Sequence, residues 1–276
     1  MKEMFFISGL PRSGSTLLSS ILTQNSEIYS GVSSPVYGMI CSLIHSISTN
    51  ENDSQIKSKK RKEIIKGIFE SYYSDKSNKI IFDTSREWTS KTSILKSVYP
   101  STKIICCVRD IKWILDSFEK ILHGSKIYGA YLTDNLTYNT MHSRCDALMD
   151  IKTKGLVATP YYCLEEGLLF NPEMIMLVEY DSLCKNPEKT MKNIYNFIGK
   201  PYFEHDFNNV EYKNEEYDRV IGVEGLHDVR KKVSFEKRKS ILPNSIIKQY
   251  LDKEFWRTPT EIKFPETITW PTKREV

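Results

Sequence analysis

The chain has 276 residues, 40% hydrophobic and 27% charged, with 39 Lys+Arg against 35 Asp+Glu and a net charge of +4. Disordered chains carry fewer apolar residues and a larger net charge, and a small excess spread over many charges gives no sign of a nucleic-acid partner. No run reaches the ~18 consecutive apolar residues of a membrane span, so no membrane partner is expected.

The stretch Met1–Ser15 meets Pro11 and Arg12 too early for a signal peptide. The six cysteines contain no CxxC pair, and Cys106 and Cys107 are adjacent. Reduced packing residues in a cytoplasmic protein are the expectation.

Met4–Ser8 is a short apolar run ending in Gly9, which predicts a buried strand. Ser15–Thr23 follows with apolar residues at helical spacing. Residues 50–61 end in Lys57, Lys59, Lys60 and Arg61 and read as a solvated loop entering a helix over Lys60–Tyr73. Lys79–Asp83, Lys103–Val108 and Met174–Glu179 predict further buried strands; Ser90–Val98, Ile111–Leu122 and Pro187–Ile198 predict further helices. Continuous apolar strands alternating with helices predict a three-layer α/β/α fold around a parallel sheet. Residues 124–170 hold few strand signals and read as a helical substrate cap. From Tyr202 to Trp270 the chain turns polar and irregular. No linker divides it, so one domain over 1–276 is expected.

The segment with most chemistry is the turn between the first strand and its helix. It holds Gly9, Pro11, Arg12, Ser13 and Gly14, and the helix opens at Ser15, Thr16 and Leu17. A strand–turn–helix of this kind aims backbone N–H groups and a helix N-terminus at one point, which suits a phosphate. Gly9 and Gly14 have the spacing of GxxxxGK[ST], and Thr16 is present. Ser15 stands where the lysine belongs, and a cation stands three positions earlier, at Arg12. Without that lysine the loop is poorly equipped for a γ-phosphate, but it can hold one anionic group at the 5′ end of a nucleotide.

Pro11-Arg12-Ser13-Gly14-Ser15-Thr16-Leu17-Leu18 resembles the 5′-phosphosulfate loop of sulfotransferases that use 3′-phosphoadenosine 5′-phosphosulfate (PAPS). The resemblance implies a P-loop-like sulfotransferase fold, with Pro11 to Leu17 around the 5′-phosphate and sulfuryl group. It gives Arg12 the task of neutralising the bridging oxygen as the sulfuryl group leaves. That family holds the 3′-phosphate with an arginine at a strand end and a serine eight residues on, which here are Arg109 and Ser117. A guanidinium fork suits phosphate, and open α/β sheets bind ligands at the carboxyl ends of their strands. Val178–Leu183, with Asn186-Pro187 and Phe197-Ile198-Gly199, resembles a family segment whose tyrosine approaches the adenine, which implies Tyr180. His227–Val233 matches the family's late basic loop without the strict Arg-Lys-Gly of the eukaryotic cytosolic enzymes, which implies Arg230 or Lys231.

The cytosolic steroid and phenol enzymes place a histidine base after the strand that corresponds to Lys79–Asp83. Here Phe82-Asp83-Thr84-Ser85-Arg86-Glu87-Trp88 offers none. The base is expected at Asp83 or Glu87, with Arg86 as a clamp on acceptor or sulfuryl group. His45, beyond the pocket-bordering loop Ser33–Met39, is a second-rank base, and Tyr37, Trp88 and Trp113 are candidate pocket walls. Each of the five histidines is alone in its segment, so no metal is expected. The implied activity moves a sulfuryl group from PAPS to a hydroxyl or amine of a small molecule. Ile81–Trp88 with Ile105–Asp110 resembles bacterial enzymes of natural-product tailoring, including those of cyanobacterial toxin pathways. The alternatives are a P-loop nucleotide kinase and an inactive protein that binds the product, 3′-phosphoadenosine 5′-phosphate (PAP).

Overall fold

The apolar runs become strands β1 (Glu3–Gly9), β3 (Ile80–Thr84), β4 (Ile104–Val108) and β5 (Ile175–Glu179), joined by a short β2 (Ile28–Ser30). They form one sheet in the order β2-β3-β1-β4-β5, with every neighbouring pair parallel. The computed structural model describes residues 2–49, 52, 55–124, 140–211, 215–220 and 226–257. The expected α/β architecture with one parallel sheet is present.

Period-two alternation explains why the strands are apolar throughout. Phe6, Ile81, Ile104, Cys106 and Leu177 face one core with Phe69 and Trp88; Phe5, Ile7, Phe82, Ile105, Cys107 and Val178 face the other with Leu18, Ile21 and Ile194. The adjacent cysteines are therefore free thiols on opposite faces, and burial pushes the Cys107 thiol up to about 12. Three aromatic residues stack in the first core, with the Phe6 and Trp88 ring centroids 4.9 Å apart.

The helices α1 (Ser15–Leu22), α3 (Ser58–Tyr72), α5 (Ile111–Gly124) and α9 (Pro187–Phe197) fall near their predicted spans, and a short α8 (Tyr180–Lys185) precedes α9. The stretch Ser90–Val98 splits into a 3₁₀ turn (Trp88–Lys91) and α4 (Thr92–Val98). Much of the expected loop Ser33–Met39 is instead the start of α2 (Val36–Ile47), which buries Val36, Ile40 and Ile47. Of the basic run at the entry to this helix, Lys57 precedes α3 and Lys59, Lys60 and Arg61 lie in its first turn. Within 124–170, α6 (Met141–Met149) and α7 (Ala158–Phe170) are helical, while 125–139 lies outside the described residues. The stretch after Tyr202 also carries two short helices, α10 (Glu215–Val220) and α11 (Asn244–Gln249); 258–276 lies outside the described residues. Among the described residues no helix is long and apolar enough to cross a membrane.

One buried histidine gives the fold a pH dependence. His205 is 6% exposed among Tyr195, Tyr202, Phe203 and Phe207, and among the described residues neither ring nitrogen has a hydrogen-bond partner of normal geometry. Burial lowers its pKa to about 4. Below the unfolded value of ~6.5 the unfolded chain binds this proton and the folded chain does not, so stability falls as pH drops from there towards 4. The full effect is on the order of 2–3 kcal/mol. Denaturant titrations at several pH values are expected to show a steeper acid loss in the unaltered protein than in His205→Phe. Equal slopes would refute it.

Candidate functional site

The sheet order changes direction at β1: β3 lies on one side, β4 on the other, and the crevice opens at their carboxyl ends. Gly9 ends β1 with φ 116°, and an added Cβ would sit 2.1 Å from the Cys107 carbonyl oxygen. The chain then turns through Leu10–Gly14. Arg12 adopts a left-handed φ of 58°, an uncommon conformation outside glycine. Gly14 has φ 93°, and a Cβ there would meet the Tyr180 ring at 2.8 Å. Glycine at both points lets the loop pass close to β4 and to Tyr180, with α1 starting at Ser15.

A cavity of about 660 Å³ lies over this turn, lined by Pro11, Arg12, Gly14, Ser15, Thr16 and Leu17 from the loop and by Arg109, Ser117 and Tyr180 from the facing elements. Ser13 is buried beneath it, its hydroxyl donating to the Pro11 carbonyl at 3.3 Å. Arg12 Nε donates to Ser117 Oγ at 3.1 Å, and its Nη1 donates to the Leu226 carbonyl at 2.6 Å. Arg109 Nη1 donates to the Arg12 carbonyl at 3.2 Å, and its guanidinium carbon stacks 4.1 Å from the Tyr180 ring centroid. Arg109 Nε is buried and has no hydrogen-bond partner among the described residues. Such an atom is costly unless a ligand supplies the acceptor.

The electrostatics agree. Burial lowers the Arg12 pKa first, then repulsion from Arg109 and Arg86; Arg109 is lowered by burial and by Arg238, against the pull of Tyr180. Both stay charged at neutral pH, since arginine cannot be deprotonated in proteins. Burial also raises Tyr180, so its phenol stays neutral. Like charges gathered in a partly desolvated cavity favour a polyanionic ligand.

The acceptor side is reordered. Arg86 and Glu87 line the same cavity, joined by Val32, Phe118, Ile121 and Leu156. Asp83 does not reach it. It is fully buried and faces the Phe69–Trp88 core, where its carboxylate accepts from Tyr73 Oη at 2.6 Å, Ser34 Oγ at 2.7 Å and Trp88 Nε1 at 2.7 Å. Burial raises its pKa and these three donors pull it down. The expectation of a base at Asp83 is corrected to a structural carboxylate, because strand alternation turns it away from the crevice. His45 is likewise corrected: it is exposed in the last turn of α2 and outside the cavity lining. Tyr37, Trp88 and Trp113 also lie outside that lining; Tyr37 and Trp88 pack edge to face at 5.1 Å.

In the late basic turn, Arg230 lines the cavity and pairs with Glu236. Lys231 is exposed and outside the lining; its neighbour Lys232 is within it, as is Arg238. Lys232 and Arg238 were missed by the sequence reading because runs such as Lys237-Arg238-Lys239 look like ordinary solvated surface. Only the pairing of Arg238 with a buried aspartate, invisible in sequence, singles it out.

The sequence model of the Sulfotransferase family matches residues 5–204. No curated protein matches the chain. Among solved structures, a sulfotransferase from Alicyclobacillus acidocaldarius is 12% identical with a TM-score of 0.51, the match covering 80% of this chain and 90% of that one. The sulfotransferase domain from the olefin synthase of Synechococcus PCC 7002 is 18% identical (TM-score 0.47), covering 74% of this chain and 75% of that one. Mouse sulfotransferase SULT7A1 complexed with PAP is 15% identical (TM-score 0.45), covering 74% and 59%.

Proposed function

The chain belongs to the sulfotransferase family, and from that membership we propose that it moves a sulfuryl group from PAPS to a hydroxyl or amine of a small molecule. The observation that carries the donor assignment is the pairing of Arg12 and Arg109 over the α1 N-terminus, with Arg109 Nε buried and unpartnered among the described residues. PAPS brings two anionic ends. The loop Pro11–Leu17 would hold the 5′-phosphosulfate, Arg109 and Ser117 the 3′-phosphate, and Tyr180 the adenine end. The turn at Arg230 and Lys232 would cover the nucleotide.

Sulfuryl transfer, like phosphoryl transfer, asks the protein for positioning and charge stabilisation. Arg12 is the cation that would stabilise charge as the bridging oxygen departs. Glu87 is the carboxylate that follows β3 and lines the cavity, and it would take the acceptor's proton. Arg86 beside it would hold the acceptor or the sulfuryl oxygens. Val32, Phe118, Ile121 and Leu156 give the acceptor an apolar wall. Glu87→Gln is expected to cut PAP release from PAPS in the presence of an alcohol acceptor by roughly 10²–10⁴-fold with little change in PAP affinity. Full turnover would remove Glu87 from the mechanism.

A thermal-shift comparison separates this reading from a kinase. PAP is expected to raise the melting temperature, and ATP–Mg²⁺ to leave it nearly unchanged, because a ligand stabilises the native state that binds it. Stabilisation by ATP–Mg²⁺ alone would overturn the donor assignment. Arg109→Ala is expected to weaken PAP binding by about 1.5–3 kcal/mol, since a charge-assisted contact is lost.

A further inference from the structure

The match to the sulfotransferase family ends at residue 204, yet His227, Asp228, Val229, Arg230, Lys232, Val233, Ser234, Glu236 and Arg238 supply much of one cavity wall. Two backbone hydrogen bonds, Val210 N–H to the Lys231 carbonyl at 2.7 Å and Val233 N–H to the Phe207 carbonyl at 2.8 Å, hold the middle of this strap. Each end is held by a buried carboxylate.

At its start stands Asp218, 4% exposed. One oxygen accepts from the His227 backbone N–H at 3.0 Å, and the other pairs with the His227 ring Nδ1 at 2.5 Å. The next residue back is Leu226, whose carbonyl receives Arg12 Nη1. At its end stands Asp116, fully buried on α5 next to Ser117. Asp116 pairs with Arg238 Nη1 at 2.9 Å and accepts from Ser240 Oγ at 2.9 Å and the Ile241 N–H at 2.7 Å. Arg238 also stacks 5.2 Å from the Trp113 ring centroid. Burying a carboxylate is costly, and both of these accept hydrogen bonds from strap residues; Asp116 also forms ion pairs with Arg238 and, at 3.2 Å, with Lys120 of its own helix.

We infer that Asp116 and Asp218 are positioning residues of the donor site: they pin the two ends of the strap 226–241 and so hold the Leu226 carbonyl on Arg12 and Arg238 in the cavity wall. The inference rests on the PAPS reading of the cavity. Arg12 has five N–H donors. With Nε on Ser117 and one Nη1 hydrogen on Leu226, the fork has a set orientation before any donor arrives, and pre-organisation of this kind lowers the cost of binding.

The test measures PAP dissociation constants and melting temperatures for Asp116→Asn, Asp218→Asn and the double variant. Each single variant is expected to bind PAP about three- to tenfold more weakly, a loss no larger than that expected from removing Arg12 itself. The double variant is expected to lose less than the product of the two, because releasing either end frees the same strap. A structural role alone lowers the melting temperature and leaves PAP binding within twofold of the unaltered protein, and that result overturns the inference. If Asp116→Asn does not fold, Arg238→Gln removes the same anchor from the strap side, and His227→Asn serves likewise for Asp218. An unaltered protein that binds no PAP would defeat the donor reading and this inference with it. Normal PAP binding that both anchors leave unmoved would defeat the inference alone.

Discussion

Asp83→Ala is expected to lower folding stability by about 3–5 kcal/mol, measured as a shift in denaturant midpoint at constant slope. The alanine leaves Tyr73 Oη, Ser34 Oγ and Trp88 Nε1 without their shared acceptor in the core. Each buried orphan costs about 1–3 kcal/mol, reduced where a hydroxyl can turn to another partner. Asp83→Asn keeps the shape and removes a charge that burial disfavours, as the raised pKa records. Its loss is expected to be the smaller, with turnover per folded molecule close to that of the unaltered protein. An Asp83→Asn protein of normal stability and no turnover would restore Asp83 as the base.

Asp83 also marks where the sequence stops being legible. Fold class could be read from uninterrupted apolar runs, since a strand covered on both faces has no polar alternation to hide. The glycine loop could be read because Gly9 and Gly14 answer to steric demands, from Cys107 and Tyr180, that only glycine meets. A carboxylate at a strand end could not. Asp83 and Thr84 differ by one position, and the pleat alone decides which of them faces the crevice: Thr84 lines the cavity and Asp83 the core. Helix α2 was missed because Pro35 and Gly38 read as loop punctuation, although Pro is tolerated at a helix start. The basic turn His227–Val233 was legible through the resemblance, but its anchors were not: Asp116 is distant in sequence from Arg238, and Asp218, nine residues before His227, carries no pattern that marks it as buried.

Arg12→Ala is expected to reduce turnover by about 10²–10³-fold while weakening PAP by less than tenfold. The asymmetry follows from what the guanidinium meets in each state. With the product-like nucleotide, phosphate charge is shared among the loop N–H groups, Arg109 and Ser117, and Arg12 is one contributor among several. In the transition state, charge grows on the bridging oxygen that Arg12 is assigned to neutralise, and a partly desolvated cavity strengthens that interaction. Burial, and after it repulsion from Arg109 and Arg86, disfavours the Arg12 charge, as its lowered pKa records, so developing negative charge beside it offsets both. Arg12→Lys keeps a charge and loses the fork that spans Ser117 and Leu226, and its turnover is expected to fall between the other two. Single-turnover rates from PAPS, set beside PAP dissociation constants from calorimetry, decide the matter. A turnover loss no larger than the loss in PAP affinity would make Arg12 a binding residue only, and the charge on the departing oxygen would have to be met by the α1 N-terminus and Arg86.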